Sequence, residues 1–180
     1  MSQSVDCKEA ADITGDGQGD SVRGPWRLPD QAATEALGAA LAGVLTPGLS
    51  IWLDGDLGAG KTTLVRALVR QLGHRGPVKS PTYTLVELYE ISSLYLYHFD
   101  FYRFNDPSEF HDSGFDEYFR GAGVCLVEWP DKAAGCLPSP DLRVALAVVP
   151  EGGREARLLA GTERGRACLN QLIFPPVVSS

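Results

Sequence analysis

Between residues 55 and 62 the chain reads Gly55-Asp56-Leu57-Gly58-Ala59-Gly60-Lys61-Thr62, followed by Thr63. This matches the phosphate-binding pattern G-x-x-x-x-G-K-[ST] at every fixed position. The flanks agree. Leu49 to Leu53 reads as a short strand running into the first glycine, and Leu64 to Leu72 as a helix with Gly73 as its stop. In such a loop the glycines let successive N–H groups turn inward onto phosphate oxygens, and the helix N-terminus adds unpaired donors and the positive end of its dipole. The backbone from Asp56 through Leu57, Gly58, Ala59 and Gly60 to Lys61, Thr62 and Thr63 is therefore the expected nucleotide cradle. Lys61 is expected on the β- and γ-phosphates, and the Thr62 hydroxyl on Mg²⁺. At average glycine usage the fixed positions match by chance in on the order of one per cent of chains this long, and the flanking strand and helix lower that further.

Composition bounds the rest. A chain of 180 residues suits one domain with a real core, and 44% hydrophobic with 22% charged residues is ordinary for a globular protein. A formal net charge of −7 repels phosphate backbones, which argues against direct, non-specific nucleic-acid binding. The cysteines Cys7, Cys125, Cys136 and Cys168 have no C-x-x-C spacing, and Cys125 lies in an apolar run. That argues for a reducing compartment and against a zinc site or disulfide framework. No apolar run reaches bilayer length and no signal or transit peptide is visible at the N-terminus, so a cytoplasmic location without membrane contact is expected.

Taken in order, residues 1–24 read as a disordered acidic tail, 25–174 as the nucleotide-binding domain and 175–180 as a C-terminal tail. Trp26-Arg27-Leu28 is an expected edge strand, and Asp30 the N-cap of a helix carrying Leu37, Leu41, Val44 and Leu45 at helical spacing until Pro47-Gly48. Two prolines stiffen Gly76 to Tyr83, a loop presenting Ser80, Thr82 and Tyr83. It serves either as a γ-phosphate sensor or as a plain turn. Thr84 to Tyr89 and Leu94 to Phe101 form an expected hairpin, with Tyr95, Tyr97, Phe99 and Phe101 on one face and Leu96, His98, Asp100 and Tyr102 on the other. One or two short helices broken at Gly114 are expected between Asn105 and Arg120, and a helical turn over Asp131 to Gly135. Gly123 to Glu128 is an unbroken apolar run ending in a carboxylate, the signature of a strand buried on both faces. Asp141 to Val149 and Arg154 to Ala160 read as antiparallel strands, and Thr162 as the cap of a last helix.

Asp100 and Glu128 compete for a metal-facing role. Glu128 has the stronger context, because phosphate-loop nucleotidases place an acid at the end of such a strand. Asp100 is left to orient the attacking water, to hold a metal-bound water, or to pair with Arg103. His98 reads as a structural histidine. The arginines Arg154, Arg157, Arg164 and Arg166 read as a solvated face, with a phosphate clamp as the minority reading. A small-molecule kinase using the same loop is an alternative, as is a nucleotide-dependent binding protein without turnover. The absence of Asn-Lys-x-Asp disfavours a GTP switch.

Taken with the phosphate loop, Ser80-Pro81-Thr82-Tyr83-Thr84-Leu85-Val86, His98-Phe99-Asp100-Phe101-Tyr102-Arg103 and Leu126-Val127-Glu128-Trp129-Pro130 resemble the TsaE (YjeE) family, whose members take part in making threonylcarbamoyladenosine in tRNA. The resemblance runs from about Leu28 to Gly165. The acidic tail lies outside it, and Phe101 stands where a smaller aliphatic residue is expected. The resemblance implies an α/β, three-layer P-loop NTPase fold with a central parallel sheet and flanking antiparallel strands. It implies an accessory ATPase of low basal activity, using ATP and Mg²⁺, that docks on the threonylcarbamoyl transferase and its paralogous partner (proteins of the TsaD and TsaB type) and meets tRNA only indirectly. By motif position it implies Lys61, Asp100 and Glu128 in catalysis, Thr62 and Glu128 on the metal, and Trp129 beside the nucleotide.

Overall fold

The computed structural model describes residues 21–92 and 94–174. The tails expected at 1–24 and 175–180 lie outside these, except for residues 21–24. Those open into the first strand instead: β1 spans Val22–Leu28 and pairs with a later strand, so the edge strand is longer than Trp26–Leu28.

Asp30 caps α1 (Gln31–Ala42), its carboxylate accepting from the Ala33 amide at 2.8 Å. That satisfies one of the orphan donors of the first turn. The helix ends at Gly43, before the expected Pro47-Gly48 stop. β2 (Ser50–Asp54) leads through the glycine loop into α2 (Lys61–Gln71). β3 (Val86–Ile91) and β4 (Leu94–Asp100) form the expected hairpin. Two short helices, α3 (Glu109–Asp112) and α4 (Asp116–Arg120), follow, with Gly114 between them. β5 (Val124–Glu128) runs into a 3₁₀ turn over Pro130–Ala133. The antiparallel β6 (Leu142–Val148) and β7 (Arg154–Ala160) and a helix, α5 (Glu163–Gln171), are the last elements among the described residues. Thr162 caps α5, its hydroxyl accepting from Gly165 N–H.

The seven strands of the described residues share one sheet in the order β1-β7-β6-β2-β5-β4-β3. β6, β2, β5 and β4 run parallel; at one side β7 pairs antiparallel with β6 and β1 antiparallel with β7, and at the other β3 pairs antiparallel with β4. β5 lies between β2 and β4 and is buried at every residue, as its unbroken apolar run requires. Side chains alternate across it. Val124 and Leu126 join the core beneath α1, α2 and α5, with Leu37, Leu41, Leu64, Leu68 and Leu169. Cys125 and Val127 join an aromatic cluster on the opposite face, built from Phe99, Phe101, Phe110 and Phe115. Phe99 and Phe101 thus face away from Leu96, as the period-2 pattern of β4 demands.

The two longest helices approach closely because α1 carries Gly38. A methyl group there would run into the Leu64 carbonyl oxygen and stand 3.1 Å from the Ala67 side chain.

Register decides what meets at the sheet's edge. Leu53 pairs with Glu128, and Glu128 with Asp100. The carboxyl ends of β2, β5 and β4 are therefore level, and the loop after β2 opens beside both acids. In open α/β sheets this edge is where ligands bind.

Candidate functional site

The glycine loop begins where β2 ends. Gly60, the residue before α2, has φ 106°, a left-handed conformation that favours glycine. No side chain caps α2, so its first-turn amides have no intrahelical partner and are open to an anion. A cleft of about 340 Å³ lies against them, lined among others by Leu57, Lys61, Thr62, Thr63, Asp100, Glu128, Trp129 and Arg154.

Lys61 is only 4% exposed. Its ammonium donates to the carbonyls of Gly55 and, at 3.0 Å, of Asp56, and lies 4.0 Å from the centre of the Trp129 indole. Burial holds the ammonium below the ordinary lysine range, opposed by the carboxylates of Glu128, Asp100, Asp56 and Asp54. Trp129 adopts φ 58° and ψ 50°, a left-handed conformation unusual for an aromatic residue, and this turns the chain directly after Glu128.

Glu128 is 3% exposed; its Oε1 accepts from the Thr62 hydroxyl at 2.8 Å and lies 2.9 Å from His98 Nε2. Asp100 is 2% exposed and accepts three hydrogen bonds. Its Oδ2 accepts from the hydroxyls of Ser80 and, at 2.8 Å, of Thr82, and its Oδ1 from the Tyr102 amide at 3.0 Å. The stiff loop at 76–83 is thus tied to the site through two hydroxyls. The pairing of Asp100 with Arg103 considered from the sequence does not occur. The Arg103 guanidinium lies over the Tyr83 ring at 4.1 Å instead.

Of the residues singled out in the sequence, Leu57, Gly58, Gly60, Lys61, Thr62, Thr63, Asp100, Glu128 and Trp129 all border the cleft. Ala59 is buried, and Asp56 does not line the cleft but accepts from Lys61 through its backbone carbonyl. Two contributors had been given other roles first. Arg154, placed with the solvated arginines, reaches the loop from β7: Nε donates to the Ala59 carbonyl at 2.5 Å and Nη2 to that of Gly58 at 3.3 Å. Its only sequence signal is the Gly152-Gly153 turn that starts β7 beside the loop. His98, read as structural, contacts the acid at the centre of the site. Its signal was the two-residue spacing from Asp100, which puts both on one face of β4.

Thr62 and Glu128 supply hard oxygen donors, the chemistry that suits Mg²⁺. Among the described residues no group of three or more His, Cys, Asp and Glu side chains forms a metal cage. Mg²⁺ is commonly held in the way this donor set permits, by one or two protein oxygens with phosphates and water completing its shell. Among the described residues no helix is long and apolar enough to cross a membrane.

Residues 28–156 match the family model Threonylcarbamoyl adenosine biosynthesis protein TsaE. The tRNA threonylcarbamoyladenosine biosynthesis protein TsaE of Haemophilus influenzae is 41% identical over 144 residues, covering 77% of this chain and 90% of that protein. The Bacillus subtilis protein of the same name is 41% identical over 135 residues, covering 75% and 84%. The crystal structure of Bacillus subtilis YdiB superposes with a TM-score of 0.71 at 34% identity, covering 82% of this chain and 91% of that one. With matches that span most of the chain in both sequence and fold, this protein belongs to the TsaE family.

Proposed function

We propose that this protein is an ATPase of tRNA threonylcarbamoyladenosine biosynthesis with a P-loop NTPase fold, binding and slowly hydrolysing Mg²⁺–ATP to move a partner transferase complex through its cycle. The observation that carries the reading is the hydrogen bond from the Thr62 hydroxyl to Glu128, 66 residues away in sequence, at the mouth of a glycine loop that leads into a helix. Family membership and the names of the relatives supply the pathway.

In this reading the loop amides and the α2 N-terminus hold the β- and γ-phosphates, and Lys61 leaves its carbonyl contacts to meet them. Thr62 and Glu128 would hold Mg²⁺, which would supply charge neutralisation to the phosphates when bound. Asp100 orients the attacking water. Ser80 and Thr82, already on Asp100, connect that acid to a loop that responds to the γ-phosphate. The acid groups come from this chain, and the arginine that lines the cleft, Arg154, is engaged by the Gly58 and Ala59 carbonyls. A finger supplied by a partner raises hydrolysis by roughly 10³–10⁵ in phosphate-loop enzymes. The expected partner is the complex of the threonylcarbamoyl transferase and its paralogue, with tRNA met only through it.

The test is ATP turnover by the purified chain, alone and with the partner complex, followed by phosphate release. Slow turnover alone, a rise with the complex, and loss in Lys61→Ala and Glu128→Ala are expected. Fast turnover by the isolated chain, or parental turnover by Glu128→Ala at limiting Mg²⁺, overturns the reading.

A further inference from the structure

The one buried histidine in the described sheet sits behind the site. His98 is completely buried on β4, where the other buried positions hold Leu96, Phe99 and Asp100. Its Nε2 lies 2.9 Å from Glu128 Oε1, while Nδ1 is buried without a hydrogen-bond partner. An orphaned buried nitrogen costs free energy that an aliphatic side chain of similar size would avoid. Packing alone therefore does not account for histidine here.

The geometry specifies the tautomer. A proton on Nδ1 would bury an unpaired N–H and set the Nε2 lone pair against a carboxylate oxygen, acceptor facing acceptor. A proton on Nε2 makes a hydrogen bond to Glu128 and leaves only a lone pair unpaired. This donor and the Thr62 hydroxyl converge on the same oxygen, Oε1, from segments far apart in the chain. Two donors on one oxygen fix the rotation of the carboxylate and leave Oε2 as the oxygen that neither engages.

We infer that His98 is a positioning residue whose Nε2–H locks the Glu128 carboxylate so that its second oxygen is presented to the nucleotide-bound Mg²⁺. This deepens the ATPase reading and rests on it. Groups that orient a metal's ligands from behind change metal affinity by about 10–100-fold when removed. β4 then has two roles. It carries Asp100 at its end, and two residues earlier it sets the aim of the acid on the neighbouring strand.

The experiment pairs two variants with one spectrum of the parent. In His98→Leu the donor is gone and the volume is nearly kept. In His98→Gln an amide N–H replaces Nε2–H. Calorimetry with a non-hydrolysable ATP analogue is run over a range of Mg²⁺ concentrations and again without Mg²⁺. His98→Leu is expected to raise the half-saturating Mg²⁺ by about tenfold or more with Mg²⁺-free nucleotide affinity unchanged, and His98→Gln to recover most of that loss. ¹⁵N spectra of the parent's imidazoles are expected to show His98 protonated at Nε2. An unchanged Mg²⁺ requirement in folded His98→Leu overturns the inference, as does a His98→Gln variant that binds nucleotide but needs as much Mg²⁺ as a donor-free site, or an Nδ1–H tautomer in the parent. If His98→Leu does not fold, His98→Gln and the parent tautomer still decide. A parent that binds no Mg²⁺–nucleotide overturns the ATPase reading and the inference together, whereas a parent that binds beside an indifferent His98→Leu overturns the inference alone.

Discussion

The ammonium of Lys61 lies 4.0 Å from the centre of the Trp129 indole while donating to the Gly55 and Asp56 carbonyls. The cation is thus parked on the wall of its own loop, held by a cation–π contact of about 0.5–2 kcal/mol and two backbone acceptors. A phosphate entering the loop competes for it directly. Adding Mg²⁺–ATP is therefore expected to change tryptophan emission, and Trp129→Phe to abolish the change. Trp26→Phe and Trp52→Phe should keep it. A response that survives Trp129→Phe would show that another tryptophan reports the nucleotide and that the Lys61–Trp129 contact is not what changes.

Arg154 braces the loop from β7 through the carbonyls of Gly58 and Ala59. Hydrogen bonds from charged donors contribute about 1.5–3 kcal/mol each in favourable settings, less where solvent reaches them. Arg154→Ala is expected to weaken nucleotide binding about tenfold, or about 1.4 kcal/mol, while the melting temperature changes little. Arg154→Lys should recover only part, since an ammonium has no planar fork to span two carbonyls. Calorimetry with ADP measures both affinities. Equal affinity in parent and Arg154→Ala would make Arg154 a surface residue after all.

Gly38 gives a prediction whose sign the structure decides. In an exposed helix interior, glycine to alanine gains about 1 kcal/mol. Here the added methyl would strike the Leu64 carbonyl of the neighbouring helix. Gly38→Ala is expected to lose about 1–3 kcal/mol in urea unfolding, the range for overpacking a close contact. Since α2 carries Lys61 and Thr62, nucleotide affinity should fall with it.

Burial pushes the Cys125 thiol up to about 12. At pH 8 only about one molecule in 10⁴ then carries the thiolate that reacts with alkylating agents. Iodoacetamide at pH 8 is expected to label Cys136 well before Cys125, read peptide by peptide in a mass spectrometer. Between the ordinary thiol value near 9 and about 12, the unfolded chain releases a proton that the folded chain keeps, so this thiol lowers stability as pH climbs through that window. Early labelling of Cys125 in native protein would mean that β5 opens locally.

The local features were legible because they depend on neighbours in the chain. The glycine loop, the Asp30 and Thr162 caps, the β3–β4 hairpin and the doubly buried β5 all rest on period, capping or φ preference within a few residues. Long side chains that reach across the fold were the least legible. Arg154 looked like one more surface arginine because no local pattern encodes the β1-β7-β6 arrangement that brings it to the loop. A pairing of Asp100 with Arg103 was one of three roles the sequence left open, because the two are close in the chain, yet it is the hydroxyls of Ser80 and Thr82 that reach its carboxylate, from a separate loop.

By itself, then, the order of residues determined the elements, the phosphate-loop signature and the two acids that end β4 and β5. Only the tertiary structure decided how these acids are used. Strand register sets Asp100 level with Glu128, and Glu128 within reach of Thr62 and His98. Register is a property of paired strands, set by hydrogen bonding between segments far apart in the chain, and no single segment carries it.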